Sequence, residues 1–103
     1  SFGAEVFIFY PGGFGTLDEF FELITLIQTK KISNVPLICV GSEFWNKVRD
    51  FMRDEMLAHG AIEPEHLNLF TITDSQDEII NIIKNAPVRA SIPLSNIDPK
   101  IPA

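Results

Sequence analysis

The hydrophobic pattern changes period several times along the chain, and each change marks an element. Val6-Phe7-Ile8-Phe9-Tyr10 is an unbroken apolar run, rich in aromatic and β-branched residues, that stops at Pro11-Gly12-Gly13. It reads as a strand covered on both faces. From Leu17 the apolar residues adopt helical spacing, with Leu17, Phe20, Phe21, Ile24 and Ile27 on one side and Asp18, Glu22, Thr25 and Thr29 on the other. A helix from Leu17 to about Ile32 is predicted. Leu23 and Leu26 widen its stripe, which points to packing against more than one surface and makes Leu23, Leu26 and Ile27 the expected seam of a homodimer.

Asn34-Val35-Pro36 breaks that helix, and Leu37-Ile38-Cys39-Val40 follows as a short buried strand ending at Gly41. A second helix is predicted over Glu43 to His59, with Phe44, Trp45, Val48, Phe51, Met52 and Met56 apolar and Gly60 as its C-terminal cap. Leu69 to Thr73 reads as a third strand, and its polar Thr71 and Thr73 suggest an edge. Asp74-Ser75 is expected to cap a last helix through Lys84, while Pro87, Pro93, Pro99 and Pro102 mark 87–103 as an extended tail.

The order β-α-β-α-β-α predicts an α/β fold: a Rossmann-like parallel sheet with right-handed crossovers and helices on both faces. Three strands are few for it, and the first is the most apolar yet has no preceding neighbour to cover its edge. Residues 1–86 are therefore expected to be the C-terminal half of a larger doubly wound fold, or to be completed by another chain.

Composition narrows the function classes. With 103 residues, 46% hydrophobic and 21% charged, the chain suits a single globular domain. A net charge of -6 argues against a nucleic-acid polymer as partner, because tracking phosphates needs clustered cations. A small anion is still allowed, since oriented backbone N–H groups bind phosphate without Lys or Arg. Cys39 is the sole cysteine, which rules out an internal disulfide and fits an inert buried thiol in a reducing compartment. No apolar stretch approaches the roughly 20 residues that span a bilayer, and no leader opens the chain, so a cytoplasmic protein without membrane partners is expected.

The chemistry concentrates in Pro11-Gly12-Gly13-Phe14-Gly15-Thr16-Leu17-Asp18-Glu19, which joins a strand's carboxyl end to a helix N-terminus. Ligands of open α/β sheets bind at that edge. Gly12, Gly13 and Gly15 permit positive φ angles and remove Cβ atoms, so backbone N–H groups can converge on a phosphate, with the Thr16 hydroxyl as a further donor. Two better-known loops are excluded: no Lys precedes Thr16 as a P-loop requires, and Asp18 stands where the dinucleotide fingerprint needs its third glycine. Thr16-x-x-Glu19 is also capping-box spacing, a helix-start role that can coexist with ligand binding.

This segment resembles the PGGxGTxxE signature of the LOG ("lonely guy") phosphoribohydrolases, in the bacterial branch often labelled possible lysine decarboxylase. The resemblance runs over roughly residues 4–84, through Phe20 to Ile32, Pro36-Leu37, Gly41 to Trp45, and Asp74 onward. It implies a homodimeric enzyme, without metal or organic cofactor, that hydrolyses the N-glycosidic bond of purine nucleoside 5′-monophosphates such as AMP and cytokinin ribotides. Gly12, Gly13, Gly15 and Thr16 would hold the phosphate and Glu19 would be catalytic. The family's catalytic Arg and much of its base pocket lie upstream of where this chain begins. A carboxylate suits ribosyl transfer, whose oxocarbenium-like transition state an anion stabilises. Asp18, about 100° from Glu19 on the helix, is expected to face solvent. The alternative function is a nucleotide-binding or carrier module without turnover.

Other chemistry-bearing residues are read as structural. His59 precedes the Gly60 cap and His66 lies in a loop, with no metal-ligand spacing between them. Phe44 and Trp45 are read as core, with purine contact the alternative. A decarboxylase would need a Schiff-base Lys holding pyridoxal phosphate, and Lys30, Lys31, Lys47, Lys84 and Lys100 fall at helix ends, on a helix face or in the tail.

Overall fold

Three short parallel strands deliver their carboxyl ends to one edge, where each hands the chain to a helix. The computed structural model describes residues 5–86; the proposed tail over 87–103 lies outside the described residues. The elements are β1 (Phe7–Phe9), α1 (Phe14–Gln28), β2 (Leu37–Val40), α2 (Ser42–Phe51), β3 (Thr71–Thr73) and α3 (Gln76–Asn85). A π-helical segment, Met52–Leu57, prolongs α2, and a 3-10 helix, Pro64–Asn68, precedes β3.

The sheet order is β1-β2-β3, with Phe7, Ile8 and Phe9 opposite Leu37, Ile38 and Cys39, and Ile38, Cys39 and Val40 opposite Thr71, Ile72 and Thr73. Side chains alternate, so Phe7, Phe9, Leu37, Cys39 and Ile72 share one face and Ile8, Ile38, Val40, Thr71 and Thr73 the other. On the first face Phe9 meets both Phe20 of α1 and Trp45 of α2, at ring-centroid distances of 5.5 and 6.3 Å. The first two helices therefore lie on the same face. The cause is topological: the strands step in one direction, and successive right-handed crossovers taken in one direction stack their helices on one side.

The core is aromatic at its centre. Phe20, Leu23, Leu37, Cys39 and Trp45 are at most 1% exposed, and each such large apolar side chain stabilises the fold by roughly 1.5–3 kcal/mol relative to exposure. Trp45 is thus a core residue and not a purine contact. Leu23 and Ile27, expected at a dimer seam, are 0% and 4% exposed inside this same core. Only Leu26 of that trio is part-exposed, and it borders a groove on the outer side of α1 with Leu17, Asp18, Phe21, Glu22 and Thr25. Among the described residues nothing covers both faces of β1, since Ile8 is 38% and Tyr10 60% exposed.

Several ends follow local chemistry. Gly60, at φ 78°, closes the second helix, with Gly60 N–H donating to Leu57 O and Ala61 N–H to Met56 O, the hydrogen-bond pattern of a left-handed glycine cap. Ser75 Oγ accepts from Glu78 N–H at 3.1 Å and caps α3. The expected edge strand is β3, but Thr73 is buried, its Oγ1 accepting from Ser75 N–H. His66 Nδ1 accepts from Glu63 N–H at 2.9 Å and completes the cap of the 3-10 helix.

Candidate functional site

In a parallel sheet the residues that follow the strands meet at one edge, which here collects Pro11-Gly12-Gly13 after β1, Gly41-Ser42 after β2 and Asp74 after β3. Helix α1 begins earlier than its apolar period suggests. Its N-cap is Gly13, Phe14 to Thr16 are already helical, and Leu17 N–H→Gly13 O (3.2 Å) is its first helical bond. Thr16 is consequently the third helical residue and not a cap, and the capping box that its spacing with Glu19 suggests does not form. No side chain caps this helix.

Gly12, Gly13 and Gly15 do not use positive φ; among the described residues the positive-φ glycines are Gly41 and Gly60. What matters in the turn is the missing Cβ. A Cβ on Gly12 would collide with Thr16 Oγ1, so glycine is what lets the Thr16 hydroxyl fold back over the turn. A Cβ on Gly13 or Gly15 would meet nothing within 4 Å, leaving open space beside the first N–H groups of the helix. Those of Phe14, Gly15 and Thr16 precede the first helical bond, and with the partial positive charge of the helix start they suit an anion.

Thr16 and Glu19 are three residues apart, about 60° around the helix. Thr16 heads the row Phe20, Leu23 and Ile27 that faces the core, while Glu19 lies on the flank beside it and is exposed. Asp18 lies further round, on the solvent side, and borders the outer groove. The helix thus brings open space beside its first N–H groups, a hydroxyl and one flanking carboxylate to a single end.

The neighbouring helix end differs. Asp74 accepts from Ser42 N–H at 2.7 Å through Oδ1 and from Ser42 Oγ at 2.6 Å through Oδ2. It therefore caps α2 and not α3 as expected. These bonds, from the Ser42 hydroxyl first and its N–H second, hold the Asp74 carboxyl below its ordinary value. Gly41, the N-cap of α2, sits at φ 106°, and a Cβ there would lie 2.9 Å from Pro11 Cγ. Gly41, Ser42 and Asp74 lie outside the site residues to which the sequence points. Their position directly after parallel strands was the available signal, but a bond across 32 residues has no local signature.

Among the described residues no group of three His, Cys, Asp or Glu side chains could hold a metal ion, and no helix is long and apolar enough to cross a membrane. The described lysines, Lys30, Lys31, Lys47 and Lys84, are all exposed, which does not fit the desolvated Schiff-base lysine that pyridoxal phosphate requires.

Comparison with curated proteins finds no match. The family described as "possible lysine decarboxylase" matches residues 3–83, a span that holds the glycine turn, all three strands and most of α3. With the parallel α/β fold and the intact Pro11-to-Glu19 signature already in place, that match shows that the chain belongs to the LOG family, whose description is possible lysine decarboxylase.

Proposed function

We propose that this protein hydrolyses the N-glycosidic bond of purine nucleoside 5′-monophosphates, cytokinin-type ribotides included, giving the free base and ribose 5-phosphate. The observation that carries this reading is the uncapped start of α1, where three free N–H groups and Thr16 stand beside open space with the exposed Glu19 on the same helix flank. A 5′-phosphate seated there would place the ribose over the first turns of the helix, within reach of a carboxylate. Glu19 would then orient the attacking water and accept its proton as the oxygen bonds to C1′. The C1′–N bond breaks with its electron pair leaving on the base, which takes up the proton that Glu19 received from the water and so regenerates the carboxylate. The positive charge that develops on the ribose is the charge a carboxylate stabilises.

The protein is proposed to work in the cytoplasm as a homodimer, without metal or organic cofactor. The groove lined by Leu17, Phe21 and Leu26 on α1 replaces Leu23 and Ile27 as the seam. Incubation of the full chain with AMP, with ribose 5-phosphate and adenine measured, tests the function. Release of both supports it. Saturable AMP binding without release would make the protein a nucleotide carrier.

A further inference from the structure

We propose that Asp74 is a positioning residue for the phosphate-binding turn: it fastens the Gly41-Ser42 turn, against which Pro11 rests, and thereby sets where α1 presents its free N–H groups. The inference rests on the proposed phosphate site, which it deepens.

Asp74 is not needed where it stands in sequence, because α3 is already capped by Ser75. Its two oxygens instead cross to the start of α2, one to the Ser42 N–H and one to the Ser42 hydroxyl. Glycine at the N-cap of α2 has no side chain to do this. Gly41 N–H donates to Thr73 O at 3.2 Å, so two consecutive residues after β2 are tied to two consecutive residues at the end of β3. This fixes Gly41 at a φ of 106° and brings its Cα face against the Pro11 ring. Pro11 leads directly into Gly12, whose missing Cβ admits Thr16 Oγ1. A continuous series of contacts thus runs from Asp74 through Ser42, Gly41, Pro11 and Gly12 to Thr16.

The same carboxylate gives the edge its selectivity. Of the three helix starts along it, that of α3 is capped by Ser75, and either of the two with glycine N-caps, α1 and α2, could attract an anion. Asp74 fills the one at α2 with a fixed negative group, so a phosphate is directed to the one at α1.

The test compares Asp74→Ala, Asp74→Asn and Ser42→Ala in the full chain, by amide NMR without ligand and by steady-state kinetics on AMP. Asn can accept from the Ser42 N–H and donate to its hydroxyl, so it keeps the geometry without the charge. Asp74→Ala should move the Gly12, Gly13 and Gly15 amide signals and raise KM for AMP about tenfold with kcat within about twofold, the pattern of binding lost equally from ground and transition states. Asp74→Asn should leave those glycine signals near their original positions and restore KM to within about threefold. If Asp74→Ala does not fold, Ser42→Ala, which removes one of the two bonds, should move the same glycine signals by a smaller amount. Shifts confined to Ser42–Trp45, with the glycine turn and KM untouched, would overturn the proposal and leave Asp74 as a cap of α2 alone. A wild type that neither binds nor cleaves AMP would instead count against the proposed function, and the glycine signals would still decide the role of Asp74.

Discussion

Pro11 and Gly41, which follow neighbouring parallel strands, are so close that one methyl group on Gly41 would lie 2.9 Å from Pro11 Cγ. Gly41 also holds a φ of 106°, so substitution there meets both backbone strain and a collision. Gly41→Ala is expected to lower stability by about 1–3 kcal/mol. Gly60→Ala, at φ 78° with open space around it, should cost only about 1 kcal/mol. Adding Pro11→Ala to Gly41→Ala should recover part of the first loss and none of the second. Denaturant midpoints of Gly41→Ala, Pro11→Ala, their double variant and Gly60→Ala check this, and strictly additive effects of the first two would contradict the contact.

Glu19→Gln keeps size and hydrogen bonding but removes the negative charge and the base. It is expected to fold and bind AMP normally while turnover falls by on the order of 10²- to 10⁴-fold. Thr16→Val should weaken phosphate binding more than the chemical step. Because Thr16 is helical and caps nothing, its stability loss should stay below the 0.5–2 kcal/mol or so of a lost N-cap. Equal specific activity of wild type and Glu19→Gln per folded molecule would remove Glu19 from the mechanism.

The proposed homodimer is tested on the outer side of α1. Phe21→Glu with Leu26→Glu should reduce the mass seen in sedimentation from dimer to monomer while the thermal transition survives. Leu23→Glu places a charge where exposure is 0% and should unfold the chain, costing more than about 4 kcal/mol. A dimer unaffected by the first pair would move the interface elsewhere.

Acid tests the Asp74 cap. Its carboxyl lies below its ordinary 3.8 because the Ser42 hydroxyl and N–H both donate to the charged form. A group depressed on folding stabilises the fold above its unfolded value, and that contribution is lost as pH falls through the folded value. The Ser42–Asp74 bonds should hold as pH drops through 3.8 and fail only below it. Carboxyl NMR titration reads this directly, and an Asp74 titration at or above 3.8 would show that the cap is open in solution.

Features set by neighbouring residues were legible in the chain alone: the apolar strand Leu37–Val40, the Ser75 cap and the Gly60 stop each follow from chemistry within a few positions. The start of α1 was not, because Thr16-x-x-Glu19 suits a cap equally well as a third-residue hydroxyl, and what decides is the absent Cβ of Gly12. Nor does a wide apolar stripe say which of its edges meets a core, and Leu23 and Ile27, which the stripe suggests for a seam, lie inside. The proposed site residues Gly12, Gly13, Gly15, Thr16 and Glu19 share one helix end with Pro11 before them in sequence, while Gly41, Ser42 and Asp74 join it only through the sheet.

Cys39 sits at the middle of β2 with no exposure, and desolvation pushes its thiol up to about 12. Almost none of it is thiolate at neutral pH, and thiolate is the form that alkylating reagents attack. The chain's single native cysteine is therefore silent towards a maleimide for as long as the fold holds. A cysteine placed at Phe14, whose side chain is 94% exposed in the glycine turn, would be the one that takes a fluorophore, with no need to remove Cys39 first. Labelling of Cys39 itself would then report unfolding.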